Sequence, residues 1–197
     1  MKLNKISKNE FSLPPHNLGW KEIKLGVSIN EARFISYLTV ILFVLMNAVL
    51  FSLLKESFFS DIAYLNAKYD LLNIIIGILI SIVVLVLAHE LCHLILLPEQ
   101  GLSNSTIIAF IGISPCFIYN NNIGRNRFMV VLLGPFLILT PIFIAGVTIY
   151  EGLISYYLLF IHLTSCLGDL LLFHKIFKRK EIECLWSLGT SCWAKLK

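Results

Sequence analysis

Four long apolar runs decide what this chain can become. They cover residues 34–54, 71–97, 128–150 and 153–173. Each holds at least 21 residues. At about 1.5 Å of rise per residue, each run exceeds the roughly 30 Å of a bilayer's hydrocarbon core. Composition agrees: 57% of the 197 residues are hydrophobic and 14% charged, with a mean hydropathy of +0.82. A water-facing domain carries about 25% charged residues, so a soluble globule is excluded. The expectation is an all-α membrane protein of about four transmembrane helices. Residues 1–33 form a cytosolic lead-in, 34–174 the membrane domain and 175–197 a basic tail. No cleavable leader is readable in the polar first 33 residues, so the first run is expected to insert and stay.

Lysine and arginine positions set the expected orientation. Placing both termini and the second loop in the cytosol leaves only Lys55 and Lys68, of sixteen basic residues, on the far side. The net charge of +4 is then a topology signal. No aromatic-basic groove or nucleic-acid motif accompanies it, so no nucleic-acid partner is expected. The partners expected are the lipid bilayer and a membrane protein or peptide. Five cysteines without a CxxC pair give no disulfide framework, and reduced thiols are the default.

Local signals refine this outline. Ser28-Ile29-Asn30-Glu31 fits a capping box, so the first helix should begin just before its apolar run. Residues 107–119 are apolar but broken by Gly112, Ser114 and Pro115, and rich in Ile and Phe. They are too short to span as a helix. A re-entrant or interfacial strand or hairpin between the second and third helices is expected; a loop packed on helix ends is the alternative. Trp186 and Trp193 suit an interfacial segment in the tail.

The chemistry concentrates in His89-Glu90-Leu91-Cys92-His93, inside the second run. Histidines four apart on a helix share one face, with backbones about 6 Å apart. That spacing suits two nitrogen ligands to one Zn²⁺, and Glu90 between them suits a general base for hydrolysis. Ionisable residues within a span cost about 2.5 kcal/mol or more each and usually mark function. A third ligand must lie at matching depth. His93 is four residues from the end of its run and Asp169 four from the end of the fourth, and both runs cross in the same direction. Asp169 is therefore the expected third ligand; a helix-terminal carboxylate paired with Lys175 or Lys178 is the alternative. His162, two turns before Asp169, either touches substrate or packs by hydrogen bonding. Cys92 reads as packing.

These residues resemble a known group. The His89–His93 motif on a membrane helix, followed by Gly168-Asp169 on another, resembles the bacterial putative zincin peptidases. The resemblance runs from Trp20-Lys21-Glu22-Ile23 through 115–119 to Asp169. It is more distantly similar to the site-2 proteases, with Gly134-Pro135-Phe136 resembling a Gly-Pro element there. This chain departs from them in placing Gly168 before Asp169 and in lacking an Asn-Pro segment. The resemblance implies an integral protein of the bacterial cytoplasmic membrane and a zinc cofactor on His89, His93 and Asp169. It implies Glu90 as the residue activating water, and cleavage near the cytosolic face. Ile111 and Ile113 are the expected positions where an extended substrate pairs with the 107–119 stretch. Two other readings stand: a non-catalytic membrane protein with a structural zinc, acting as an immunity or regulatory factor, and a metal transporter subunit.

Overall fold

The computed structural model describes residues 2–3, 19–23, 28–53, 55–101, 105–111, 114–150, 152–188 and 191–197. The described elements, in chain order, begin with strands β1 (Lys2–Leu3) and β2 (Trp20–Ile23) and helices α1 (Ile29–Leu53), α2 (Lys55–Lys68) and α3 (Leu71–Leu96). A 3-10 turn, Pro98–Gly101, and strands β3 (Thr106–Ile111), β4 (Ser114–Tyr119) and β5 (Asn122–Gly124) follow. Helices α4 (Arg125–Tyr150), α5 (Leu153–Ser165) and α6 (Leu167–Lys178) lead to strands β6 (Ile182–Leu188) and β7 (Ser191–Leu196).

Among the described residues, four helical stretches are long and apolar enough to cross a membrane: α1, α3, α4, and α5 with α6 as the fourth. Their apolar side chains stay uncovered, with Val44 60%, Leu79 57% and Ile142 60% exposed. Only a hydrocarbon solvent tolerates so much exposed aliphatic surface, so this is an integral membrane protein. α1 begins at Ile29 because the capping box forms: the Ser28 amide donates to Glu31 Oε2 at 2.8 Å and the Glu31 amide to Ser28 Oγ at 3.3 Å. The fourth span is interrupted at Cys166. The Thr164 hydroxyl donates to the Phe160 and Ile161 carbonyls, and Ser165 to that of His162 at 2.7 Å. Such back-bonding competes with the helical ladder and bends it.

The chain divides into two compact units. One comprises Ser28–Val86 and Phe136–Leu167. Within it the Tyr157 hydroxyl donates to Asn47 Oδ1 at 2.6 Å, tying α5 to α1. Asp61 Oδ2 accepts from the Leu153 amide at 3.0 Å. That carboxylate satisfies an orphan donor of α5, whose N-cap, Gly152, has no side chain to do so.

The other unit comprises Met1–Val27, Leu87–Pro135 and Gly168–Lys197. It contains two small sheets. In the first, ordered β1-β3-β4, β3 and β4 form a hairpin pairing Thr106 with Tyr119 and Ile111 with Ser114. The described residues 107–111 and 114–119 are thus paired strands rather than a packed loop. The second sheet, ordered β2-β7-β6-β5, is antiparallel and adds to what the sequence led us to expect. The tail is two paired strands, not one interfacial segment. Trp186 stands opposite Trp193 and donates to Asn120 Oδ1 at 3.0 Å, with Trp20 edge-on at 5.8 Å. The inner face of this sheet supplies Ile123, Ile182, Leu185 and Ala194 to a core completed by Phe128, Val131, Leu132 and Ile176. Leu185, Ala194 and Ile176 are wholly buried.

Two arginines fasten this unit's helices. Arg125 donates to the Ile176 carbonyl from Nε and Nη2, both at 3.3 Å, and to Phe177 O at 3.0 Å. Arg127 Nη2 donates to Leu97 O at 3.3 Å. Each guanidinium therefore meets carbonyls at the C-terminal ends of α6 and α3; that of Ile176 also accepts from the Arg179 amide at 3.1 Å. Cations at the start of α4 oppose its dipole by about 0.3–1 kcal/mol each. A hydrogen bond from a charged donor contributes about 1.5–3 kcal/mol, so the capping wins where it is shielded from water. Arg125 is half-buried and makes the larger contribution. We expect Arg125→Gln to lower the melting temperature of the purified protein in detergent by a few degrees, with Arg33→Gln close to wild type. Equal melting of wild type and Arg125→Gln would show that the capping contributes nothing.

Candidate metal centre

One helical turn separates His89 from His93 on α3, so their rings leave the same face and lie 5.0 Å apart, edge to face. Asp169, in the first turn of α6, completes the group. Its Oδ2 lies 3.0 Å from His89 Nε2 and 3.3 Å from His93 Nε2. All three belong to the unit built on the second sheet. Their side chains are only 8%, 13% and 22% exposed, too little for water alone to solvate three polar heads.

The tautomer of His93 follows from its other nitrogen. Nδ1 lies 2.8 Å from the backbone carbonyl of Val131 in α4. A carbonyl only accepts, so Nδ1 carries the proton and donates. In the neutral ring, Nε2 then presents a lone pair toward Asp169. A main-chain or carboxylate partner on the far nitrogen is the usual way a ligating histidine is oriented. Helix α4 meets α3 here at Gly134. A Cβ there would collide with the Leu96 side chain and come within 3.6 Å of the Cys92 carbonyl.

The donor set can hold a zinc ion. Two imidazole nitrogens and a carboxylate oxygen, all within 4.8 Å of one another, are ligands zinc takes. Two ligands at about 2.0–2.1 Å from a tetrahedral ion stand about 3.3 Å apart; Asp169 Oδ2 lies 3.0 and 3.3 Å from the two imidazole nitrogens. His89 Nε2 and Asp169 Oδ2 share a hydrogen bond of 3.0 Å, whose proton a cation held by the three side chains would replace. Glu90 follows His89 on α3 and is half-buried.

His162 belongs to the other unit and is wholly buried. It shares a hydrogen bond of 3.1 Å with Thr140 Oγ1 and stacks on Phe143 at 5.1 Å. Cys166 Sγ approaches both of its ring nitrogens at 3.9 Å. Ile111 ends β3, opposite Ser114. Ile113 lies outside the described residues. Cys92 is buried, 6% exposed. Two features of this site were not anticipated. The Val131 carbonyl is a main-chain acceptor with no side-chain signature. Arg125 and Arg127 were read only as orientation signals, although they sit at the mouth of a span where helix ends gather.

Residues 82–183 match the family described as putative zincin peptidase. No curated protein and no solved structure gives a match, so similarity to the site-2 proteases rests on the residues quoted above alone. The matched segment covers more than half of the 197 residues and takes in His89, Glu90, His93 and Asp169. The chain belongs to the putative zincin peptidase family.

Proposed function

We propose that this protein is an intramembrane zinc metallopeptidase that hydrolyses peptide bonds of membrane-associated substrates near the cytosolic face. The observation that carries the reading is the convergence of His89, His93 and Asp169, from segments eighty residues apart in sequence, on one sheltered point. Zinc held there supplies Lewis acidity, polarising a scissile carbonyl and making water a nucleophile near neutral pH. His89, His93 and Asp169 would hold the ion. Glu90 takes a proton from the attacking water and delivers it to the leaving amine, so that water adds across the broken C–N bond.

A transmembrane substrate hides its carbonyls in its own helix and must be unwound before cleavage. The β3–β4 hairpin supports a route for this, because β4 is the edge of its sheet and an extended segment can pair there. In this reading both termini are cytosolic, in keeping with the distribution of basic residues. Structural zinc sites are usually closed by a fourth protein ligand, whereas catalytic sites keep a position open. A metal transporter subunit would place polar groups on broken helices in repeated halves, and the sequence has no internal repeat.

Metal analysis of the purified protein is expected to give about one zinc per chain, unchanged in Glu90→Gln, with turnover of a membrane-protein substrate falling about 10²–10⁴-fold. Turnover undiminished in Glu90→Gln would sink the enzyme reading. Asp169→Ala should weaken zinc binding about tenfold or more. If the affinity of Asp169→Ala equals that of wild type, the third ligand is misassigned. Ile111→Pro should slow cleavage while zinc content stays full; loss of both together would argue that the hairpin serves folding rather than substrate.

A further inference from the structure

The bond from His93 to Val131 raises a question of supply. In an α-helix each carbonyl accepts from the amide four residues later. Val131 lies within α4, well short of its end at Tyr150, so its carbonyl should already be engaged. The residue four later is Pro135, which has no N–H. The helical partner of that one carbonyl is therefore missing by sequence. Pro135 is also wholly buried, so water does not readily take the vacant place. The donor that arrives is His93 Nδ1, at 2.8 Å.

We propose that Pro135 is a positioning residue for the metal centre: by withholding its amide hydrogen it reserves the Val131 carbonyl for His93 Nδ1, which fixes the tautomer that turns Nε2 toward Asp169. The inference rests on the reading that His89, His93 and Asp169 hold zinc. The preceding residue completes the arrangement. Gly134 leaves the Leu96 side chain its place where α4 meets α3, since a Cβ there would displace the tip of that side chain. Pro135 thus keeps the carbonyl unclaimed where α4 packs on α3. A second proline in the same helix supplies a natural comparison. Pro141 leaves the Leu137 carbonyl without its helical donor, but Leu137 is 60% exposed and belongs to the other unit.

The test compares zinc affinity, by chelator competition on the full-length protein, for Pro135→Ala and Pro141→Ala. A third protein carries lactic acid at position 135, an ester that restores neither the ring nor the N–H. Pro135→Ala returns a competing donor and should loosen zinc about 10–100-fold, the usual effect of losing a ligand's outer partner. The ester should recover most of the affinity, and Pro141→Ala should match wild type. Nitrogen-15 spectra of the metal-free proteins read the tautomer independently. His93 should carry its proton on Nδ1 in wild type and in the ester, and lose that preference in Pro135→Ala. Unchanged affinity and tautomer in Pro135→Ala, or an ester as weak as alanine, would overturn the proposal. A wild type that holds the expected tautomer yet binds no zinc would instead overturn the metal reading on which it rests.

Discussion

The candidate site depends on holding two helix ends at a common level, and Arg125 and Arg127 do that work. Helices α3 and α6 carry all three proposed ligands, and nothing in the chain between them is short enough to fix their relative height. In lipid, sliding one apolar helix past another costs little, because hydrocarbon solvates both positions equally well. A guanidinium bound to last-turn carbonyls is different. Arg127 on Leu97 and Arg125 on Ile176 and Phe177 stop each helix at a defined carbonyl. The two arginines are themselves only two residues apart on α4. A shift of one turn, about 5.4 Å, would take His93 out of reach of Asp169 altogether.

Fastening alone does not exclude lipid or water, and here the second sheet contributes. Its buried face covers the α4 and α6 segments that flank the site, with Leu185, Ala194 and Ile176 fully enclosed. Removing a buried side chain such as Ile176 costs about 2–5 kcal/mol, comparable with everything the arginine caps supply. The two devices are complementary. Packing gives the larger stabilisation but little directional information, and the guanidinium bonds give registration. The bond from His93 Nδ1 to the Val131 carbonyl acts at shorter range still, tying α3 to α4 at the site itself.

The helical part of this architecture was legible in the sequence because hydrocarbon thickness dictates run length. The boundaries moved only where polar chemistry extends a helix past its apolar run, as the Ser28–Glu31 box does for α1 and the basic last turn does for α6. The grouping of His89, His93 and Asp169 was legible because ionisable residues in an apolar run stand out, and depth matching selected Asp169. The second sheet was not legible. Its pairing of Trp20–Ile23 with the last strand joins segments some 170 residues apart, and strands this short carry no register signal of their own. Arg125 and Arg127 were visible as charges, but a charge count gives orientation, not partner. Pro135 was visible as a helix-interior proline, and only the coordinates show which carbonyl it releases.

Depth decides what the site can afford to be. His93 lies three residues before the end of α3, about 4.5 Å of rise, while Asp169 opens α6 rather than ending it. An ionisable group is least costly near a helix end and most costly at the midplane. Zinc chemistry needs the opposite of full exposure, since a polarised carbonyl and a developing charge are stabilised best where water is scarce and dipoles are fixed. A position within one turn of the end, roofed by protein rather than lipid, meets both demands. The same compromise explains why the outer partner of His93 is a backbone carbonyl. A second carboxylate at this depth would add another charge to shelter, whereas Val131 contributes an acceptor that the helix already contained and that Pro135 left without its usual donor.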